Sequence, residues 1–555
     1  MQGAAGSEAS RLALACANVA DLLAVQAASR ADAIALVQPA TDPADVRREL
    51  TWAELDGRVD AVAAGLSGRG LRVGQRVGLC AANGIDFVVC YLAALRCGLL
   101  AVPINPRSAT GEVVRVLADS RCRLVVADAA TAPTVRAAVG GLVDALAASS
   151  ESVRAATPVP QLVVTAGPVL PGDRLLEELA SAGGRVASPV DPESLAVLLH
   201  TSGTSGRPRA AMLTHRALLA NVAQLAAIEP PVLGPDDVVL GLLPLFHVYG
   251  LNAVLGQVLS HGARLVLVER FDAEETLAVV EAEQVTNLPV VPAVIAAWAG
   301  RDDLAERLRS VRLAVSGAAP LEPELAALFT EQTGVRLEQG YGLTECAPVV
   351  TSTLVAAATR QPLPPAAERS SVGAPLPGVS LRIVDTGGHV LEPGDVGEVC
   401  VHGDNLFSGY WPDRHDGPDA EGWWRTGDLG LLDPDGRLEL VDRLRELVIV
   451  SGFNVYPFEV EEVISEVPGV AGAAVIGVAD ADTGEAVVAY IVLSPDAGSA
   501  EKVVDSVRNH CAERLARFKW PRTVNVVSGL PYSATGKVAK GRLRAQARRE
   551  LLGLK

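Results

Sequence analysis

SLAVLLHTSGTSGRPRAAML, residues 194–213, is the stretch whose reading decides how this chain is built. Residues 194–199 are apolar and rich in Val and Leu, as in a buried strand. The strand runs through His200 into Thr201, Ser202, Gly203, Thr204, Ser205 and Gly206, each a hydroxyl residue or a glycine, and then into Arg207, Pro208 and Arg209. Glycine lets the backbone approach an anion closely, and N–H and O–H groups donate to it, so the run has the chemistry of a phosphate cradle. A Walker loop would need Gly-Lys-Ser/Thr opening a helix, whereas this chain continues into Ala210, Ala211, Met212 and Leu213. Alone, such a run also fits a plain turn.

Outward from this run, a helix-like stretch such as residues 51–69 alternates with short Val/Leu/Ala strands such as residues 75–79 and 123–127, with Gly or Pro at the joins. That alternation predicts α/β layers with mostly parallel sheets. Heptads and short fixed repeats are absent from the sequence. With 555 residues and 49% hydrophobic content, one large unit and a smaller one are expected, each with its own core. Residues 87–104 are the longest apolar stretch, but Arg96 and Gly98 break it and Pro103-Ile104-Asn105-Pro106 ends it, so it reads as a buried helix followed by a strand. Residues 12–16 look faintly like a lipoprotein signal. Glu8 precedes them and no basic start exists, which makes them part of an ordinary first helix. The Ala/Pro-rich residues 355–369 read as a surface loop.

The net charge of −17 opposes a polyphosphate backbone or an anionic membrane, so nucleic acid is not an expected partner and any basic site must be local. Cys16, Cys80, Cys90, Cys97, Cys122, Cys346, Cys400 and Cys511 lack the paired spacing of a zinc ribbon or a thioredoxin-like site, which implies buried free thiols in a reducing compartment. A soluble, cytoplasmic protein with no integral membrane segment is expected; its positive mean hydropathy leaves room for peripheral association.

The hydroxyl-glycine run resembles the signature of the adenylate-forming superfamily, which includes acyl-CoA synthetases, nonribosomal adenylation domains and beetle luciferases. Further matches follow in the family's order: Leu243-Pro244-Leu245-Phe246-His247, Gly340-Tyr341-Gly342-Leu343-Thr344-Glu345, Trp424-Arg425-Thr426-Gly427-Asp428, Val441-Asp442-Arg443 and Thr535-Gly536-Lys537. The resemblance spans residues 21–543. It departs from the family at Arg209-Ala210, where Lys-Gly is usual; arginine keeps the charge and is able to grip phosphate bidentately.

A carboxylate attacking the α-phosphorus of ATP is an anion meeting an anion, and each unscreened pair at about 4 Å costs roughly 4 kcal/mol at an effective dielectric of about 20. The site must therefore supply cations and donors. By resemblance, residues 201–206 and Arg209 hold the phosphates, Glu345 holds Mg²⁺ against them, and Thr344 donates to the α-phosphate. Tyr341, between Gly340 and Gly342, resembles the face on which adenine stacks, with Gly317, Ala318 and Ala319 along the purine edge. Asp428 suits the two ribose hydroxyls, and Arg443 is similar to the family's second ribose or phosphate contact. Lys537 would reach between the acyl carboxylate and the bridging oxygen of AMP. His247 stands where the family places a gating side chain, without a proton-transfer role; a histidine among apolar residues also fits a hydrogen-bonded core group.

The resemblance also implies two half-reactions and a turning tail domain. The expected organisation is an N-terminal adenylate-forming domain over residues 1–443, a hinge at Leu444-Arg445, and a mobile α+β C-terminal domain over residues 446–555. The large domain should hold layered α/β subdomains with a β-barrel-like part. After the turn, residues 450–457 would meet the site, with Ser451, Gly452 and Phe453 beside the pantetheine arm of coenzyme A. The implied activity is that of an AMP-forming fatty acyl-CoA synthetase, an acid–thiol ligase acting on a medium- or long-chain fatty acid with ATP, Mg²⁺ and coenzyme A. An acyl-AMP ligase loading a carrier protein, an aryl-CoA ligase and a non-catalytic nucleotide-binding protein are the alternatives. No carrier or condensation domain is evident between Met1 and Lys555, which favours a free-standing enzyme, monomer or homodimer.

Overall fold

In the computed structural model, the expected alternation of helices and strands builds two large, mostly parallel sheets, beside two smaller ones. The structure describes residues 7–40, 46–147, 157–180, 184–189, 191–201, 209–319, 321–358, 371–443, 446, 448–450, 453–480, 483–515, 517–532 and 537–551. Contacts divide the chain into two compact units: unit 1 is Met1–Ser380 with His402–Trp424, and unit 2 is Leu381–Val401 with Arg425–Lys555.

Unit 1 holds a seven-stranded sheet in the order Arg174–Leu175, Gln161–Val164, Cys122–Ala127, Arg76–Cys80, Leu100–Pro103, Leu195–Thr201 and Arg209–Thr214. All its neighbours are parallel except the last pair. Its second sheet has nine strands, in the order Ala374–Pro375, Val349–Ser352, Arg336–Gly342, Leu313–Ser316, Asn287–Val290, Val238–Gly241, Arg264–Leu267, Ile34–Gln38 and Arg48–Thr51. The middle of that sheet is parallel and its margins are antiparallel. Parallel strands buried on both faces read as continuous Val/Leu runs, which is why Leu36, Val37, Leu240, Val266, Leu288 and Ala314 are almost fully buried.

Helix Trp52–Gly68 shows how local sequence fixes these elements. Thr51 caps it by accepting from the Glu54 N–H, and Glu54 answers by accepting from the Thr51 N–H, a reciprocal pair that satisfies two otherwise orphaned donors. Its buried residues, Leu55, Val59, Val62, Ala63 and Leu66, recur at helical spacing and form one apolar stripe. Helix Ile85–Arg96 packs nearby and ends in Arg96, whose side chain is only 4% exposed and is held by Asp56 at 2.6 Å and Asp60 at 2.7 Å. The expected buried helix and strand of residues 87–104 are thus Ile85–Arg96 and Leu100–Pro103, and the first helix is Glu8–Ala15. All eight cysteines are free, and no helix of the described residues is long and apolar enough to cross a membrane.

Unit 2 carries residues 425–432 paired with Leu438–Arg443 in a four-stranded sheet. It also holds a five-stranded sheet. There, Val470–Asp480 alternates: Val475 joins a core beneath Val460, Ile464, Val503 and Val507, while Ala474 and Ile476 face Leu543 and Ala547 of helix Lys540–Leu551. The boundary expected after Arg443 lies inside unit 2. Arg443 belongs to a strand laddered to residues 428–432, and that pairing keeps residues 425–443 with the tail. Leu444 and Arg445, the expected hinge, lie outside the described residues.

Candidate active site

The hydroxyl-glycine run leaves one strand and enters the next. Leu195–Thr201 and Arg209–Thr214 form an antiparallel pair in which Thr201 stands opposite Arg209, and the Thr201 hydroxyl donates to the Arg209 carbonyl at 3.3 Å. Both ends of the run are therefore fixed by a ladder; Ser202, Gly203, Thr204, Ser205 and Gly206 lie outside the described residues. Arg209 Nη2 donates to Asp416 at 2.7 Å, and its guanidinium lies 3.7 Å from the centre of the Tyr410 ring. The charge expected to grip phosphate is thus held in place by a carboxylate and an aromatic face.

The other nucleotide candidates of unit 1 meet at the carboxyl edge of the nine-stranded sheet. Leu313–Ser316 and Arg336–Gly342 are parallel neighbours with Ser316 opposite Gln339, so Gly317, Ala318 and Ala319 leave one strand beside Gly340, Tyr341 and Gly342 on the next. Ligand crevices in such sheets lie at this edge. A Cβ on Gly317 would stand 2.8 Å from the Tyr249 ring, and one on Gly342 would stand 2.2 Å from the Pro348 carbonyl oxygen, so neither position accepts a side chain without moving its neighbour. Ala318 has φ +69, a left-handed conformation that costs a non-glycine residue about 1–3 kcal/mol and recurs at binding sites. Tyr341 is buried.

Thr344 and Glu345 follow in a short 3-10 turn, Thr344–Cys346. Glu345 is 7% exposed, and its Oε1 accepts from the Tyr410 hydroxyl at 2.5 Å. A buried carboxylate needs such donors. Burial, reinforced by the Glu345 charge, pushes the Tyr410 pKa well above its ordinary value, so the proton stays on the phenol. No group of three or more His, Cys, Asp or Glu among the described residues forms a metal cage. This donor set fits Mg²⁺, which keeps several waters and takes one or two protein carboxylates together with substrate phosphates.

His247 precedes the π-helix Tyr249–Gly256. Its Nε2 is buried and meets no hydrogen-bond partner among the described residues, and its ring lies 4.5 Å from Phe246. Burial pushes its pKa down to about 4, and does the same to His200 and His215. Neutral histidines of this kind make stability depend on pH. Below about pH 6.5 the unfolded chain binds protons that the folded chain refuses, so stability present near pH 7 is lost progressively down to about pH 4. The urea midpoint of unit 1 should accordingly fall between about pH 7 and about pH 5; an unchanged midpoint would contradict buried neutral imidazoles.

In unit 2, Asp428 is 5% exposed, and its Cα stands directly opposite that of Arg443 across an antiparallel ladder. The two candidates for ribose contact, read from motifs fifteen positions apart, are thereby paired. Lys537 is half-buried beside the bridge between Tyr532 and Val538. Ser451 and Gly452 lie outside the described residues, and Phe453 begins the strand Phe453–Val455.

Sequence reading missed Tyr410, Asp416 and a buried amide network behind Glu345. Asn405 Nδ2 donates to the Cys346 carbonyl at 2.8 Å, Gln224 Nε2 donates to Asn405 Oδ1 at 3.3 Å, and Asn252 Nδ2 donates to the Ala347 carbonyl at 2.7 Å. The one available signal was the aromatic pair Tyr410-Trp411 within a polar loop.

Comparison with known proteins bears on the same residues. The family model described as AMP-binding enzyme matches residues 23–411, and the one described as AMP-binding enzyme C-terminal domain matches residues 459–537. The chain is 34% identical over 529 residues to 4-coumarate--CoA ligase 5 of Oryza sativa subsp. japonica, covering 94% of this chain and 92% of that protein. It is 31% identical over 519 residues to a long-chain-fatty-acid--CoA ligase of Escherichia coli O157:H7, with 90% of each covered. The crystal structure of ATP-bound MatB from Rhodopseudomonas palustris superposes with a TM-score of 0.82 at 30% identity, covering 96% of this chain and 99% of that one.

Proposed function

The chain belongs to the AMP-binding enzyme family, the adenylate-forming acid–CoA ligases, and from that membership we propose that it joins a carboxylic acid to AMP and then passes the acyl group to coenzyme A. One juxtaposition supports the reading. The turn of Thr344 and Glu345 is linked through Tyr410 to Arg209, at the end of the hydroxyl-glycine run, so two distant motifs share one set of contacts.

In this reading Arg209 and the donors of residues 201–206 bind the triphosphate, and Thr344 donates to the α-phosphate. Glu345 takes Mg²⁺, which when bound neutralises phosphate charge as the acid approaches. Gly317, Ala318, Ala319 and Tyr341 hold adenine by backbone contacts and by an aromatic face. Asp428 and Arg443 hold the ribose. Lys537 balances charge on the acyl-phosphate oxygen, and Ser451, Gly452 and Phe453 line the pantetheine arm. His247, neutral at pH 7, acts as an apolar gate and moves no proton.

The acid we assign is a medium- or long-chain fatty acid, because residues 247–252, 290–293 and 340–343 are mostly small or aliphatic. An aryl acid is the second reading, supported by the relative named for 4-coumarate. Incubation with ATP, Mg²⁺, coenzyme A and a panel of fatty and hydroxycinnamic acids separates them. AMP and acyl-CoA from the fatty acids are expected. Thioester from the aromatic acids alone would transfer the assignment to an aryl-CoA ligase, adenylate without thioester would point to a carrier-protein acceptor, and no turnover with any acid would point to a binding protein.

A further inference from the structure

Tyr410 stands where two parts of the site are fastened together. Residues 408–411 run antiparallel to the strand Arg209–Thr214: the Ser408 N–H donates to the Met212 carbonyl at 2.9 Å, the Met212 N–H to the Gly409 carbonyl at 3.1 Å, and the Trp411 N–H to the Ala210 carbonyl at 2.8 Å. The same segment is tied to the turn that carries Glu345, through the Phe407 N–H to the Glu345 carbonyl at 2.9 Å and Asn405 Nδ2 to the Cys346 carbonyl at 2.8 Å. Phe407 meets the Tyr410 ring edge-on at 5.0 Å. The phenol is therefore held from both sides before it touches a functional group. We propose that Tyr410 is a positioning residue, whose hydroxyl at 2.5 Å fixes the Glu345 carboxylate and whose ring, under the Arg209 guanidinium at 3.7 Å, keeps that carboxylate in register with the strand leaving the hydroxyl-glycine run.

The inference rests on the reading that Glu345 takes Mg²⁺. A carboxylate on a short turn has two free torsions beyond Cβ; a donor anchored elsewhere removes that freedom in advance, so no reorganisation is needed when the cation arrives. The hydroxyl carries this effect, while the ring serves the stack on Arg209 and the contact with Phe407. Tyr410→Phe therefore separates the two.

The test compares Tyr410→Phe, Glu345→Gln and the double variant in the full chain. Binding of a non-hydrolysable ATP analogue is titrated by calorimetry with Mg²⁺ and with EDTA, alongside melting temperature and the Mg²⁺ dependence of pyrophosphate exchange. Loss of one hydrogen bond to a charged group is worth roughly tenfold or more, so Tyr410→Phe should weaken Mg²⁺-dependent binding about tenfold and leave binding in EDTA unchanged. The double variant should lose no more than Glu345→Gln alone, since the hydroxyl acts through that carboxylate. If Tyr410→Phe also lowers the melting temperature, the cycle still isolates the coupling, because the same cost is present in both backgrounds. Wild-type Mg²⁺ dependence in Tyr410→Phe, with Glu345→Gln impaired, overturns the proposal and leaves the Glu345 reading standing. Wild-type Mg²⁺ dependence in Glu345→Gln overturns that reading and the proposal with it.

Discussion

Lys537→Ala is expected to slow acyl-adenylate formation by about 10²–10³, or about 2.7–4 kcal/mol of transition-state stabilisation, as for the loss of one preorganised charge-stabilising donor. The reacting oxygens gather negative charge as the acid and the α-phosphate approach, and an ammonium meets that charge as a compact point donor. A second lysine close in sequence should behave differently. Lys540 is engaged by Glu446 at 3.0 Å and Glu461 at 2.8 Å and begins the helix that covers one face of the tail sheet, so Lys540→Ala should read out as lost stability in unit 2. Lys537→Ala should keep its fold and lose the first half-reaction. Assaying thioester formation from supplied acyl adenylate separates the steps: that rate should be nearly unchanged. Pyrophosphate release at the wild-type rate from Lys537→Ala would remove the assignment.

The largest effect on folding is expected at Arg96, far from the chemistry. Its guanidinium is 4% exposed, while Asp56 and Asp60, one helical turn apart on helix Trp52–Gly68, are 16% exposed. Removing the cation leaves Asp56 without its counter-charge and Asp60 with only the exposed Arg185 at 3.8 Å, and breaking a buried pair from one side costs about 3–5 kcal/mol. Arg96→Ala should therefore shift the unfolding of unit 1 to markedly lower urea. The cost belongs to the stranded carboxylates rather than to lost packing, so converting Arg96 to Met and both aspartates to Leu should recover most of it. A triple variant as weak as Arg96→Ala would contradict this origin.

Much of the fold was legible because its signals are local. The strand of residues 194–199 and the helix of residues 51–69 appear as Leu195–Thr201 and Trp52–Gly68, shifted by a residue or two, since periodicity and the Thr51 cap are written in adjacent positions. The nucleotide candidates at residues 317–319 and 340–342 were visible through their resemblance to family motifs, and strand order makes them neighbours. What escaped depends on distant pairing. Tyr410 lies 65 positions from Glu345 and Asp416 lies 207 from Arg209, and no local pattern marks either contact. A change of composition after Arg443 likewise says nothing about which strand Asp428 pairs with.

The strand Arg209–Thr214 ends the seven-stranded sheet, and residues 408–411 cover its outer side. An uncovered terminal strand offers a row of unsatisfied amides to any passing chain and so seeds intermolecular association. Here the segment that holds the Glu345 carboxylate also shields that row from other molecules. Insertions or deletions within residues 405–411 would consequently be selected against twice, once for turnover and once for colloidal behaviour, which makes this loop a poor place to engineer new acid specificity.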